Sequence, residues 1–144
     1  RILSRTFLTT SARNQLPATL LSIEERGLNG VLTLSLTGSH TIQSIITLKS
    51  VRNMGLIVGC DLYAIIKSSD VTVVTTPPKG EEAMNTLKGT ISRIESQDDT
   101  DEIAFALDLF TELIALMNPK DTKKLSEGMN AYALISPSHI IIGL

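Results

Sequence analysis

The sequence predicts an all-β protein with short helices, made of two small barrels in tandem. Apolar and polar residues alternate in several segments with the period of a β-strand. The second half of the chain also repeats the first, which predicts that one small unit is present twice. Aromatic residues make up only 3% of the chain and Trp is absent, so we expect a core of Ile, Leu and Val.

The clearest strand signal lies at residues 32–36, where three leucines alternate with Thr33 and Ser35. Two segments rich in turn residues, Asn29-Gly30 and Thr37-Gly38-Ser39, bracket this strand. The same alternation returns at Ile103, Phe105, Leu107 and Leu109. Further strands are expected at roughly 18–25, 40–47, 61–68 and 71–75.

A short helix interrupts these strands. Residues 48–54 lose the alternation and are followed by Gly55, and glycine commonly ends a helix. Five short strands and one small helix in about 70 residues are typical of an OB-like barrel. The predicted fold is therefore a tandem pair of OB-like five-stranded β-barrels.

The repeat fixes the expected domain bounds. Residues 61–75 align without a gap with residues 130–144, and residues 11–19 align with residues 82–90. Two prolines and a glycine between the copies indicate a linker. We expect a connector from an upstream domain at 1–10, a first barrel at 11–75, a linker at 76–81 and a second barrel at 82–144.

Composition argues against several classes of function. The net charge of −2 and the pI of about 5.7 do not favour nucleic acid or an anionic membrane as a direct partner. No apolar run approaches the roughly 20 residues of a membrane-spanning helix. The single cysteine, Cys60, cannot form an internal disulfide, which favours the cytoplasm.

The first repeat carries hydrogen-bond donors at three places, with no carboxylate among them. They are the segment Ser11 to Gln15, the pair Thr47 and Ser50 at the short helix, and the segment Lys67 to Ser69. The oxygens of a small oxyanion only accept hydrogen bonds, so its protein ligands must all be donors. Arg13 and Lys67 would provide charge-assisted bonds, and the first turn of a helix favours an anion.

The second repeat loses these donors while it keeps scaffold positions such as Tyr132 and Gly128, which match Tyr63 and Gly59. Because both repeats are expected to fold alike, the fold does not require the donors, and they indicate a function. In the alignment of 11–19 with 82–90, Ser11 becomes Glu82 and Arg13 becomes Met84. In the frame that aligns 61–75 with 130–144, Thr47 becomes Leu116, Ser50 becomes Pro119, Lys67 becomes Ser136 and Ser68 becomes Pro137.

The run TSARNQL, followed by ITLKS, GLIVG and AIIKSSDV, resembles the molbindin (Mop or TOBE-like) family of molybdate-binding domains. The resemblance implies an OB-like barrel that forms oligomers and binds oxyanions at interfaces between domains. It implies six ligands, two of which, Thr47 and Ser50, come from a partner subunit. The Pro17-Ala18 pair departs from the family at no ligand position. The six are Ser11, Arg13, Thr47, Ser50, Lys67 and Ser68.

An intact first copy followed by a degenerate second one resembles the effector region of ModE-type transcription regulators. This resemblance implies a sensor of molybdate or tungstate that forms a homodimer with the ligand at the subunit interface. It also implies that DNA is bound only through an upstream winged-helix domain, to which residues 1–10 connect.

Other functions remain as alternatives. One is a stand-alone cytoplasmic molbindin that stores molybdate, and another is the accessory region of a molybdate-importer ATPase, although no GxxxxGK[ST] loop is present. An enzyme is not expected, because His40, in a turn or strand start, and His139, in a terminal strand, are predicted to be surface residues. The acidic run 98–102 lacks EF-hand spacing and is expected to be a solvated hairpin tip, so no bare metal cation is predicted.

Overall fold

The computed structural model describes residues 13–79 and 84–144, without the side chain of Arg13. In the first repeat these residues form β1 (Arg13–Arg26), β2 (Asn29–Leu36), β3 (Thr41–Thr47), α1 (Leu48–Met54), β4 (Asp61–Lys67) and β5 (Thr72–Val74). In the second repeat they form β6 (Asn85–Gln97), β7 (Thr100–Ala106), β8 (Glu112–Met117), β9 (Asn130–Ile135) and β10 (Ile141–Gly143). Short 3-10 helices lie at Ser68–Asp70, Pro119–Asp121 and Pro137–His139.

The strands form two five-stranded antiparallel sheets, in the orders β10-β4-β1-β2-β3 and β5-β9-β6-β7-β8. The predicted all-β class and the two five-stranded units are confirmed. One edge strand of each sheet comes from the other repeat. Strand β10 of the second repeat pairs with β4 of the first, and β5 of the first repeat pairs with β9 of the second. The ranges 11–75 and 82–144 therefore name the two repeats of the sequence, while the sheets exchange one strand each. The division into domains at these bounds stays a prediction.

Helix α1 ends as predicted. Gly55 follows it with φ 65°, a left-handed conformation that glycine adopts without a steric penalty, and its N–H bonds the carbonyl of Arg52. The predicted turn at Asn29-Gly30 is wrong. The turn lies at Gly27-Leu28, and Asn29 and Gly30 are the first two residues of β2. A Cβ on Gly30 would lie 3.3 Å from the side chains of Leu48 and Val51, so this glycine lets α1 pack closely on β2.

The strand predicted at 103–109 is too long at its end. Strand β7 stops at Ala106 because Asp108 Oδ1 accepts hydrogen bonds from the backbone N–H groups of Phe110 and Thr111, both at 2.8 Å, and turns the chain. Leu109 is consequently 93% exposed rather than in a half-buried strand.

The acidic run is a hairpin tip only in part. Asp98 and Asp99 form the turn, with Asp98 at φ 54°. Asp101, expected to be solvated, is buried in β7 and accepts a hydrogen bond from Thr122 Oγ1. Hydrogen bonds from Thr122, and then Ser96, lower the pKa of Asp101, so it is charged at neutral pH.

The core is aliphatic in both repeats, as predicted, with Phe105 as its largest fully buried side chain. Two asparagines join the repeats across their seam. Asn14 Oδ1 accepts from the Ile114 N–H at 2.8 Å, and Asn14 Nδ2 donates to the carbonyls of Ile114 at 3.0 Å and Ile66 at 3.3 Å. Asn85 makes the equivalent pair of bonds with the backbone of Gln43, at 2.7 and 2.8 Å. The Asn retained in both repeats thus ties β1 to β8 and β6 to β3.

These two contacts predict unequal costs of mutation. Asn14 is 5% exposed, so Asn14→Ala removes the side-chain partner of the part-buried N–H and carbonyl of Ile114 and should lower the free energy of unfolding by about 2–3 kcal/mol. The bonds of Asn85 are exposed to water, and Asn85→Ala should cost about 1 kcal/mol or less. Urea unfolding of the two variants measures both values. Equal losses would contradict this view of the seam.

Candidate functional site

The first and third donor stretches meet where β1 begins and β4 ends. Arg13 and Lys67 are directly opposite one another in the antiparallel pairing of these strands. The Lys67 side chain is exposed. The side chain of Arg13 and the whole of Ser11 lie outside the described residues, as do residues 1–10 of the expected connector and Gly80-Glu81 of the expected linker. An arginine and a lysine therefore occupy neighbouring backbone positions on two adjacent strands.

Ser68 lies next to this pair and begins the 3-10 helix Ser68–Asp70. Its residue is 1% exposed, and its Oγ is buried without a hydrogen-bond partner among the described residues. A buried hydroxyl left without a partner costs about 1–3 kcal/mol. An oxygen of a bound anion would accept its proton and remove that cost. The equivalent residue of the second repeat is Pro137, which has no side-chain donor.

Thr47 and Ser50 form a separate group at the start of α1. Thr47 Oγ1 accepts from the Ser50 N–H at 3.1 Å, which makes Thr47 the N-cap of the helix. Thr47 Oγ1 also donates to Ser50 Oγ at 2.9 Å, so the Ser50 proton is left for a further acceptor. Thr47 is exposed and Ser50 is partly exposed, so an external ligand can reach both.

The two donor groups lie at opposite ends of β1. Arg13 opens this 14-residue strand and Arg26 closes it. Arg26 is paired with Asn29, which is in turn paired with Thr47. At about 3.3 Å per residue, β1 separates the two groups by up to about 40 Å of strand. A single first repeat thus brings Arg13, Lys67 and Ser68 together and leaves Thr47 and Ser50 elsewhere.

The structure corrects one part of the repeat alignment. Gly30 pairs with Ile46, and Asp101 pairs with Met117, so the equivalent of Thr47 is Asn118 and not Leu116. Asn118 caps the 3-10 helix Pro119–Asp121 by accepting from the Lys120 N–H at 3.0 Å. The frame of residues 61–75 cannot be extended back to Thr47, because the second repeat replaces α1 by this shorter helix. The cap is kept in both repeats, and an amide replaces the hydroxyl.

Residues outside the donor set have structural roles. His40 Nε2 lies 3.2 Å from the Leu107 carbonyl. His139 belongs to the 3-10 helix Pro137–His139 and not to the terminal strand predicted for it, and its Nδ1 is 3.7 Å from Asp70 Oδ1. Cys60 packs partly buried against the core. Within 13–79 and 84–144 no group of three or more His, Cys, Asp or Glu could hold a metal ion. In the same two ranges, none of the helices has the length and hydropathy of a membrane-spanning segment.

Comparison with models of protein families gives the family of the chain. The model of the TOBE domain matches residues 10–73 and, a second time, residues 81–142. The chain is a member of the TOBE-domain family. The two matches cover the two sequence repeats, and the membership expected from TSARNQL and AIIKSSDV is confirmed.

Curated relatives of this TOBE pair carry molybdenum in their names. The chain is 30% identical over 138 residues to the molybdenum-pterin-binding protein MopA of Rhodobacter capsulatus, covering 94% of this chain and 52% of MopA. It is 26% identical over 146 residues to the molybdenum transport protein ModE of Azotobacter vinelandii, covering 100% of this chain and 54% of ModE. The TOBE pair therefore spans about half the length of these relatives.

A solved structure resembles the whole TOBE pair. It is the cytoplasmic molybdate-binding protein ModG in a form with molybdate bound, with 28% sequence identity and a TM-score of 0.87. The alignment covers 93% of this chain and 97% of that chain. The expected tandem of OB-like barrels is confirmed by this match.

Sequence reasoning missed an exposed apolar patch on the first TOBE repeat. The backbones of Leu21 and Leu28 lie beside the two ends of the α1 segment, since Leu48 N–H bonds the Leu28 carbonyl and Gly59 N–H bonds the Leu20 carbonyl. Ile57 and Val58 follow α1 after Gly55 and Leu56. In the frame set by the strand pairings, the second repeat has Ser92, Asp99, Ser126 and Glu127 at these positions. Comparing exposed positions between the repeats could have found the patch, whose members are Leu21, Leu28, Ile57 and Val58.

Proposed function

We propose that this TOBE pair binds molybdate, or the similar ion tungstate, and carries out no catalysis. The ligands are Ser11, Arg13, Lys67 and Ser68 of one chain, together with Thr47 and Ser50 of a second copy. The observation that carries the proposal is the buried, unpartnered hydroxyl of Ser68 next to the paired positions of Arg13 and Lys67. Relatives and a structural neighbour named for molybdenum or molybdate support the identity of the ion.

The chemistry of this donor set fits a fully ionised oxyanion. Hydroxyl, ammonium and guanidinium groups can all donate, and the two cations balance the charge of a divalent anion. A site that offers only donors disfavours an anion that carries its own proton, because that O–H would be left without an acceptor. Molybdate and tungstate are ionised at neutral pH, whereas phosphate is partly protonated.

A homodimer that shares the ligand is part of the proposal. It is supported by the placement of Thr47 and Ser50 at the far end of β1 from Arg13, so that a second chain is needed to complete the shell. It is also supported by the apolar patch around α1, because exposed apolar clusters mark interfaces and the second repeat has polar residues there. A twofold dimer would hold two equivalent sites, one for each Arg13.

The biological role that we propose is sensing for a transcription regulator in the cytoplasm. ModE of Azotobacter vinelandii and the transcriptional regulator ModE of Yersinia pestis are relatives, and the chain spans 54% and 48% of them. DNA would be bound by the other half of such a protein. Storage of molybdate is the second candidate, favoured by the match to 97% of the ModG chain. Molybdate-dependent DNA binding by the protein that contains this TOBE pair separates the two roles.

Calorimetric titration tests the choice of ion. We expect the chain to bind molybdate and tungstate much more tightly than sulfate or phosphate. Sulfate is smaller and cannot reach all the fixed donors at once, and protonated phosphate leaves an O–H unpaired. A competition titration in which sulfate displaces molybdate at equal concentration would contradict the assignment.

A further inference from the structure

The loop between β7 and β8 presents two large apolar side chains to solvent. Leu109 is 93% exposed and Phe110 is 90% exposed, more than any other large apolar residue described. The equivalent loop of the first repeat has Gly38 and Ser39 at these positions, so the fold does not need apolar residues there. We call this pair the Leu109–Phe110 tip.

The loop that carries the tip is held in place from both sides. Asp108 Oδ1 accepts from the N–H groups of Phe110 and Thr111, and the Phe110 bond is the main reason that the pKa of Asp108 is lowered. Thr111 Oγ1 lies 2.6 Å from Thr37 Oγ1 in the facing loop. A fixed loop loses little conformational entropy when its side chains are buried, which suits an anchor residue.

An apolar groove lies beside the tip on the first repeat. Its volume is about 500 Å³, within the range of binding pockets. Ala18, Leu36 and Leu62 are its buried residues, and the exposed sides include Pro17, Tyr63 and Leu144. We call it the Pro17 groove. The second repeat has Lys88 at the position of Pro17, so its equivalent surface is less suited to an apolar guest.

We propose that the Leu109–Phe110 tip of one chain docks in the Pro17 groove of a second copy of the chain. The tip lies on the second repeat and the groove on the first, so each chain offers one of each. Thr37 lines the groove and contacts Thr111 beside the tip, which puts both features on one face. A twofold axis next to this face places each tip in the partner's groove, which is a closed, self-complementary contact.

The area of this contact is enough for a reversible dimer. Two such side chains bury about 300 Å² and cover a similar area of groove wall. Two reciprocal contacts therefore bury about 1,200 Å², which is at the lower end for specific interfaces. The contact uses none of the oxyanion donors and none of the apolar patch around α1, so it is independent of the proposed function. Both contacts together would join chains into assemblies larger than a dimer.

A tryptophan at the tip reports its burial, because the chain has no Trp of its own. The emission of Phe110→Trp should be blue-shifted in concentrated samples and should move to the red on dilution. In the double variant Phe110→Trp, Pro17→Lys it should stay red at every concentration. The fold tolerates this lysine, since Lys88 occupies the same place opposite Tyr132 that Pro17 occupies opposite Tyr63.

Light scattering on four chains separates this contact from the ligand-linked dimer. With molybdate present, the wild-type mass should exceed two chains, and both L109S/F110S and I57S/V58E should fall to about two chains. Combining all four changes should give single chains. The substituted residues match polar or small residues of the other repeat, so folding is not expected to fail.

Fluorescence and calorimetry can each overturn a different part of this account. Red emission of Phe110→Trp at all concentrations, or blue emission that Pro17→Lys leaves unchanged, would show that the groove of a second copy is not the occupant. A blue shift that appears only when phospholipid vesicles are added would point to a membrane instead and would also overturn it. Failure of molybdate binding in calorimetry, with the concentration-dependent blue shift retained, would overturn the proposed function alone.

Discussion

Arg13→Ala and Lys67→Ala should each weaken molybdate binding by about 2–4 kcal/mol, which is a loss of roughly 30- to 700-fold in affinity. Each change removes a charge-assisted donor from a site in which the ligand has given up its water. Isothermal titration of the purified variants with molybdate measures the loss.

The second repeat supplies matched controls for these two variants. Met84 lies at the position of Arg13 and Ser136 at that of Lys67, so Met84→Ala and Ser136→Ala change the same backbone positions of the same fold. Ser136 Oγ lies 3.1 Å from Ser138 Oγ and has a partner of its own. We expect affinities within about twofold of wild type, a difference below about 0.5 kcal/mol. Losses as large as those in the first repeat would contradict the division of labour between the repeats.

Ser68 separates the contribution of a residue to molybdate affinity from its contribution to the stability of the fold. Its hydroxyl is buried without a partner among the described residues, so Ser68→Ala removes a group that costs free energy in the absence of ligand. A serine at this position therefore does little for the stability of the fold, and a role as a hydrogen-bond donor to a bound anion explains it better. This is the observation on which the oxyanion site depends most.

Much of the fold could be predicted because alternation and glycine are local signals. The alternation at 32–36 corresponds to β2, and Gly55 ends α1 in the left-handed conformation that favours glycine. The error at Asn29-Gly30 arose because Gly30 serves a close approach of α1 rather than a turn. A glycine needed for a turn and a glycine needed for the close approach of a helix cannot be told apart in a sequence.

The exchange of β5 and β10 between the sheets could not be predicted from local pattern. A short buried strand has the same alternation whichever sheet it joins, and only the tertiary pairing of Val73 with Ala133 and of Ile142 with Ala64 decides it. The placement of Asn118 as the equivalent of Thr47 also needed the strand pairings, because the gap in the repeat lies inside the helix.

For the candidate site, the sequence predicts the chemistry of the donors and only part of their geometry. Donor residue types in three stretches indicated an oxyanion, and the adjacency of Arg13 and Lys67 follows from the pairing of β1 with β4. Burial of Ser68 and the position of Thr47 at the far end of β1 depend on how the barrel closes. The position of Thr47 is what makes a second chain necessary in the proposed site.

Mixing two variant chains that each bind molybdate weakly tests this central claim most directly. One chain carries Arg13→Ala and the other carries Thr47→Ala, and each homodimer has a lesion in both of its sites. In a mixed dimer with bridging sites, both lesions fall in one site and the other site is intact. Random mixing makes half of the dimers mixed, so about one quarter of all sites should bind molybdate with wild-type affinity.

Thr47 also caps α1, and its loss costs about 1 kcal/mol of helix stability, so a second pair of chains is needed as control. Ser50→Ala keeps the Thr47 cap, which uses the Ser50 N–H, and removes only the hydroxyl. Titration of the Arg13→Ala and Ser50→Ala mixture should likewise recover about one quarter of the sites. If no wild-type sites appear in either mixture, Arg13 and Thr47 of one chain serve the same site, and the bridging model is wrong.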